Sequence, residues 1–517
     1  MFSWGIIIAL VVVLLLVLLF LTQEDSSLKA KATAMGADAD DYSVIPDNQA
    51  ALLGSSRNRP SYVSQNQHFV NLTQGFNISL LGEPNENVKP QTLRGTTYAV
   101  KTGDFLSMSP IPKMLVETET HVKAGDALFY DKTNPEVQYV APVSGEVIEI
   151  IRGEKRAILG VTILADRETM EYKPFVAPNL ATATREELIG FLLESGAWVA
   201  IRQRPYDVVA DHKTQAKGIF ISTFDTAPLA PNLEIALKGR EAAFKAGLEV
   251  LAKLAPVHLG LNANKDEMTA YAQFELANVQ KHWFRGQHPA GNVGIQIHHI
   301  DPINSGEAIW YLDVQAVMLI GNLFLKGIYD SEKLVAVVGT ETTPRYVYAH
   351  QGISFESLGV NENGGKTRLV SGDPLSGKKA SEKDYLGYFD DQVTTLQEGN
   401  YYELFGWLLP QKGHPTISRT FPGGFFPDSK YVADTNTNGE HRAFVVSGQY
   451  ESVLPMDILP QYLFRAIQCN DLEQMEGLGI LELSEEDVAL CEYVCTSKQS
   501  LQILLRTGLD EMRKQNA

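Results

Sequence analysis

The sequence predicts an α+β chain of several domains carried by one N-terminal transmembrane helix. Three observations predict it. Residues 2–21 are apolar except for Ser3, about 20 residues or roughly 30 Å of helix, which spans a hydrocarbon core. From residue 68 to about 175, short β-prone runs are broken by Gly, Pro and Asp, as in a small barrel or sandwich. From 176 to 330, helical and strand-like runs alternate, as in an α/β layer with a parallel sheet.

Composition bounds the function. A chain of 517 residues has room for about three ordinary domains. Its net charge of −18 argues against nucleic acid, since phosphate recognition needs an excess of Lys and Arg. Three cysteines, Cys469, Cys491 and Cys495, are too few for a disulfide framework and read as reduced thiols.

The elements follow in order. Residues 1–22 form the membrane anchor. A cleaved signal fits less well, because no Lys or Arg precedes the apolar run, although Ala30-Lys31-Ala32 resembles a cleavage site. Lys29 and Lys31 on the C-terminal flank place the body in the cytoplasm by the positive-inside bias. Residues 23–67 lack large apolar periodicity and read as a flexible tether. Within 68–175 the expected strands are 97–101, 113–116, 127–130, 139–140, 146–151 and 158–164. The stretches Val122-Lys123-Ala124-Gly125-Asp126-Ala127-Leu128 and Ala141-Pro142-Val143-Ser144-Gly145-Glu146-Val147 resemble the barrel-sandwich (biotinyl/lipoyl-like) domain. Residues 176–330 form a Rossmann-like α/β domain, with helical periodicity at Leu188, Ile189, Leu192 and Leu193, strands at 218–222 and 257–261, one amphipathic run at 232–254 and a helix at 314–325. Residues 331–400 form a small β-rich, β-grasp-like unit with strands at 335–339 and 346–349. The last region, 401–517, turns helical at 457–467, 472–476, 485–494 and 501–513.

A family resemblance runs collinearly from about residue 68 to the end. It is carried by Gly75-Phe76-Asn77-Ile78, Gly82-Glu83-Pro84, Asp131-Lys132-Thr133-Asn134-Pro135 and Arg152-Gly153-Glu154-Lys155-Arg156. Asp225-Thr226-Ala227-Pro228-Leu229, His288-Pro289-Ala290-Gly291 and Glu403-Leu404-Phe405-Gly406-Trp407 continue it. Pro455-Met456-Asp457-Ile458-Leu459-Pro460 and Glu485-Glu486-Asp487-Val488-Ala489-Leu490-Cys491 complete it. These stretches resemble the NqrA family, the A subunits of the Na+-translocating NADH:quinone reductases. The resemblance implies a protein that sits on the cytoplasmic side of the membrane, at the ubiquinone end of a sodium-pumping complex oxidising NADH. It implies the other subunits of that complex as partners, chiefly the membrane-embedded B subunit. Residues 1–67 fall outside it. The family is also distantly similar to the NADH-binding subunit of complex I and to the C subunit of the Rnf complex.

That comparison makes lost motifs legible. A [4Fe–4S] cluster needs four thiolates; the four slots here hold Glu485, Val488, Cys491 and Cys495, and Cys469 cannot complete them. A phosphate-cradling Gly-rich loop is replaced by Ser195-Gly196-Ala197-Trp198-Val199-Ala200-Ile201-Arg202, with Arg202 and Arg204 left as possible anion holders. Gly372-Asp373-Pro374-Leu375-Ser376-Gly377-Lys378-Lys379 imitates a P-loop but has Lys379 where Ser or Thr belongs. Lys132 sits where a lipoylated or biotinylated lysine would, though Asn134 and Pro135 should alter the hairpin. His298 and His299 are expected on a strand, facing opposite sides, and His282 and His288 lack metal-spaced partners. The loop Phe421-Pro422-Gly423-Gly424-Phe425-Phe426-Pro427 reads equally as a docking surface or as self-packed. No catalytic, cofactor-binding or metal-ligating residue is therefore assigned, and the chain is expected to bind no redox cofactor of its own. A carrier modified at Lys132 and a ligand-free scaffold are the competing readings.

Overall fold

The computed structural model describes residues 59–402 and 430–516. The anchor, the tether up to residue 58, Glu403–Trp407 and the 421–427 loop lie outside the described residues. Among those described, no helix is long and apolar enough to cross a membrane.

The end of the expected tether is packed structure. Val63 is buried, the Tyr62 ring lies 5.3 Å from that of Trp283, and its hydroxyl donates to the Lys265 carbonyl at 2.7 Å. Strand β1 (His68–Asn71) then pairs in parallel with Val279–Arg285, at the edge of the α/β sheet, rather than joining the barrel. Strand β2 (Gln91–Thr92) pairs with Arg345–His350 in the β-rich unit. The chain thus visits both later sheets before it builds the barrel. Such short segments carry too little pattern to declare their partners, which the neighbouring edges supply.

The barrel-sandwich unit comprises β3 (Thr97–Lys101), β4 (Lys113–Met114), β5 (His121–Val122), β6 (Ala127–Asp131), β7 (Asn134–Val140), β8 (Gly145–Arg152) and β9 (Ile158–Ala165). Its sheets run β3-β9-β8-β5 and β4-β6-β7. Alternation puts Val147, Val161 and Ile163 inside.

The α/β domain opens with α1 (Arg185–Glu194), started by a capping box: Thr184 Oγ1 accepts from the Glu187 amide at 3.2 Å, and the Glu187 carboxylate accepts from the Thr184 amide at 2.9 Å. Strands β10 (Arg202–Arg204), β11 (Val208–Val209) and β12 (Ile219–Ser222) follow. The expected single amphipathic run is two helices, α2 (Leu233–Leu237) and α3 (Glu241–Leu254), broken where Gly239 takes φ 77°. After them come β13 (Val257–Asn262), β14 (Val279–Arg285), α4 (Val293–Ile300), β15 (Ile309–Tyr311) and α5 (Val314–Lys326). The seven-stranded order is β1-β14-β13-β12-β15-β10-β11, parallel from β1 to β15. Helices α3 and α5 cross closely at glycines. A Cβ on Gly321 would lie 1.8 Å from the Ala243 carbonyl oxygen, and one on Gly247 2.1 Å from that of Val317.

The β-rich unit contains β16 (Glu332–Gly339), β17 (Arg345–His350), β18 (Thr367–Ser371), β19 (Lys378–Ala380) and β20 (Gln392–Gln397), with β2 completing the sheet. Helices α6 (Pro460–Cys469), α7 (Leu472–Gly477), α8 (Glu485–Val494) and α9 (Leu501–Asn516) close the chain.

Candidate functional site

The sheet reverses its winding between β12 and β15, and open α/β sheets bind ligands outside the carboxyl ends of strands at such a point. Three segments converge there: the loop after β12 carrying Asp225, the end of β15 leading to Asp313, and the β-rich unit with Lys333, Tyr388, Phe389, Asp390 and Asp391. Ala200, Asp313, Gln315, Lys333, Tyr388 and Phe389 are among the residues lining a partly open cavity of about 20 Å³. That volume suits roughly one water, far below the ~300 Å³ of a small-molecule site.

Its electrostatics are acidic. Desolvation pushes the Asp391 carboxyl up to about 7; Lys333 opposes this, while Asp313, Asp225 and Asp390 add to it. Desolvation likewise pushes Asp225 up to about 6. Lys333 is buried, and its ammonium donates to the Tyr388 carbonyl at 3.3 Å. Asp313 has a local task as the N-cap of α5, accepting from the Gln315 and Ala316 amides at 2.7 and 2.8 Å. A phosphate brought here would meet more carboxylates than cations.

The loop that should cradle a phosphate is core. Gly196 takes φ 74°, residues Ala197–Ala200 form one 3₁₀ turn, and the buried Trp198 indole donates to the Ala210 carbonyl at 2.8 Å.

The two arginines left over are taken by the protein's own acids. Arg202 bonds Asp207 and stacks on Tyr311 and Phe389, its guanidinium carbon 5.1 and 4.8 Å from the ring centres. Arg204 is fully buried. One terminal nitrogen donates to Asp487 at 2.6 Å and to the Glu482 carbonyl at 2.7 Å, the other to Ser484 Oγ at 2.8 Å and to Glu486 at 3.1 Å. It thereby pins the start of α8, where the Asp487 carboxylate also accepts from the Ser484 amide at 2.9 Å. Helix α4 approaches so closely that a Cβ on Gly294 would sit 2.4 Å from Asp487 and 2.5 Å from Arg204.

On α8, each cluster slot has a local role. Glu485 makes a two-pronged ion pair with Arg506 at 2.8 and 3.0 Å, and Val488 is buried. Cys491 and Cys495 are buried beneath Tyr450, whose hydroxyl lies 2.9 Å from Cys495 Sγ. Burial pushes the Cys491 thiol far up, against the thiolate a metal requires. Cys469 is exposed. Among the described residues, no three His, Cys, Asp or Glu side chains converge as metal ligands.

Other expectations fare differently. His298 and His299 stand in the last turn of α4, not on a strand. Both reach the C-terminal region: the Asp457 amide donates to His298 Nε2 at 3.0 Å, His298 Nδ1 lies 2.9 Å from Glu482, and His299 Nε2 lies 2.8 Å from the Pro455 carbonyl. An apolar octet containing two histidines, too short to reveal its period, hid the helix. His282 has imidazole neighbours, 3.0 Å from His258 and 3.1 Å from His68 across adjacent strands, a row that only strand register creates. Burial, then those two rings, pushes His282 down to about 3. His288 Nδ1 lies 3.2 Å from Thr226 Oγ1. Residues 372–377 form the loop of the β18–β19 hairpin, with no helix behind the imitation P-loop. Lys132 is exposed at a two-residue turn, and Asn134 and Pro135 belong to β7 rather than enlarging the hairpin.

Comparison with known proteins agrees along the chain. Residues 70–166 match the NqrA N-terminal barrel-sandwich hybrid domain, and residues 183–329 the NqrA second alpha/beta domain. The A subunit of the Na+-translocating NADH-quinone reductase of Haemophilus influenzae is 36% identical over 453 residues, 86% of this chain and all of that protein. Its counterparts in Vibrio atlanticus and Vibrio alginolyticus are 36% and 35% identical over 450 and 451 residues, with the same coverage. The NAD+-reducing [NiFe]-hydrogenase is remote, with 11% identity and a TM-score of 0.33 over 66% of this chain and 65% of that one. The chain belongs to the NqrA family, the A subunits of Na+-translocating NADH-quinone reductases.

Proposed function

We propose that the chain is a subunit of a Na+-pumping NADH:ubiquinone reductase that acts at the quinone-reduction end, docks on the membrane subunits, chiefly the B subunit, and holds no redox cofactor of its own. The observation that carries the subunit reading is the match over the entire length of relatives bearing that name. The cofactor part rests on the site: a cavity of about 20 Å³, carboxylates where phosphate would sit, and buried thiols in two of four cluster slots. Residues 2–21 tether the body to the inner membrane from its cytoplasmic side, with the following residues as a leash that raises local concentration near the partners.

The test is photoreactive quinone labelling of the intact complex, with flavin and iron analysis of the isolated chain. Labelling of this chain or its direct neighbour, without stoichiometric flavin or iron, is the expected result. NADH oxidation by the chain alone would overturn it. The exposed turn at Lys132 keeps one alternative concrete, a lipoyl- or biotinyl-type carrier, and an intact mass equal to that of the bare polypeptide removes it. A mature N-terminus beyond Ala32 would end the anchor reading.

A further inference from the structure

The hairpin joining β8 and β9 is built against its own conformational preference. The Ala157 amide closes on the Glu154 carbonyl at 3.0 Å, and the Gly153 amide on the Ala157 carbonyl at 2.8 Å. The two central residues, Lys155 and Arg156, have φ of 52° and 65°. Positive φ at both central positions is the type I′ arrangement, which favours Asn-Gly because a Cβ crowds the backbone carbonyl there, a clash that Gly avoids and Asn best tolerates. Here two long cations occupy both positions. Strain retained where an unstrained pair would serve points to a use for the side chains.

Arg152, Lys155 and Arg156 are all exposed, and among the described residues none forms an ion pair or a side-chain hydrogen bond. With the exposed Glu154 carboxylate in the same turn, they leave the tip a net charge of about +2, three cations against one anion, in a chain of net charge −18. Apolar surface lies beside it. Leu159 packs against Gly153 and is 49% exposed. The Ile158 amide bonds the Pro110 carbonyl at 2.9 Å, which sets Ile111, 43% exposed, at the same end.

We propose that this tip is a preset docking element for an acidic face of another protein of the complex. The inference deepens the subunit reading above and rests on it. Three cations fall short of the roughly four to eight that mark lipid-recognising clusters, and no aromatic stands at the turn to enter a bilayer interface. Two exposed cations side by side at a hairpin turn suit a protein surface that carries carboxylates.

The experiment uses the full chain in the assembled complex with Lys155→Asn/Arg156→Gly, a pair that suits the turn. A purely structural tip gains or keeps stability from that change. The docking role predicts an unchanged or raised melting temperature, together with release from the complex at lower salt and rebinding weakened about tenfold. Lys155→Arg should stay bound, and Lys155→Glu should release on the original turn backbone. Retention of the Asn-Gly variant at wild-type salt overturns the inference alone. Absence of the wild-type chain from the complex overturns the subunit reading as well. Normal retention with weakened binding to phosphatidylglycerol vesicles, relative to phosphatidylcholine, overturns the protein partner in favour of lipid.

Discussion

Arg204 and Asp391 are both withdrawn from water, yet the fold treats them in opposite ways. Arg204 meets Asp487, Glu486, Ser484 and a carbonyl, so its charge is matched by groups from a segment nearly three hundred residues away. Asp391 sits among Asp225, Asp313 and Asp390 with Lys333 as the opposing charge. A matched buried charge works as a fastener, because losing either partner strands the other in low dielectric. An unmatched one raises its own pKa and makes the surroundings sensitive to pH. The fastener holds the C-terminal helices to the α/β sheet; the acidic crevice lies at the sheet's switch point, where open α/β sheets take ligands.

The sharpest way to break the comparison is Arg204→Met. It should cost about 3–5 kcal/mol in denaturant unfolding, because Asp487 stays buried without its counter-charge. Adding Asp487→Asn should recover part of the loss, since the cap is kept and the stranded charge removed. If the single variant unfolds at the wild-type midpoint, the fastener does not exist. Next comes Gly294→Ala, expected to cost roughly 1–3 kcal/mol by forcing α4 off the ion pair.

The crevice predicts a change of opposite sign. The native carboxyl of Asp391 is raised to about 7, so the folded state holds its proton more tightly, and stability falls as pH climbs from about 4 to 7. Asp391→Asn removes that loss. Its melting temperature should exceed the parent's at pH 8 and match it near pH 4. Equal melting temperatures at both values would falsify the acidic-crevice account. The smallest effect concerns the thiols. In the native chain Cys469 should react with a thiol reagent, while Cys491 and Cys495 wait for unfolding. Fast labelling of all three would show that α8 is not seated under Tyr450.

Local pattern carried the sequence a long way. The helical periodicity at Leu188, Ile189, Leu192 and Leu193, the short strands of the barrel and the four C-terminal helices were readable because each depends on residues a few positions apart. So were the missing motifs: Ser195 to Arg202 carries one glycine and a bulky Trp198, and Glu485 and Val488 supply no thiolate to a four-cysteine cluster. Other features were beyond it. Four residues, His68 to Asn71, have no period that distinguishes a barrel strand from the edge of another sheet, and only the open edge beside β14 decided. The histidine row needs three strands in one register. Arg202 and Arg204 looked free to hold an anion because their acids lie elsewhere in the chain or face them only after folding. The sequence by itself determined most of the elements, though not α4, and the missing Gly-rich and four-cysteine motifs, since these are short-range matters of periodicity and residue chemistry. The tertiary structure alone decided which charges meet, because Arg204 with Asp487 and Asp225 with Asp391 are joined by domain packing that no local spacing encodes.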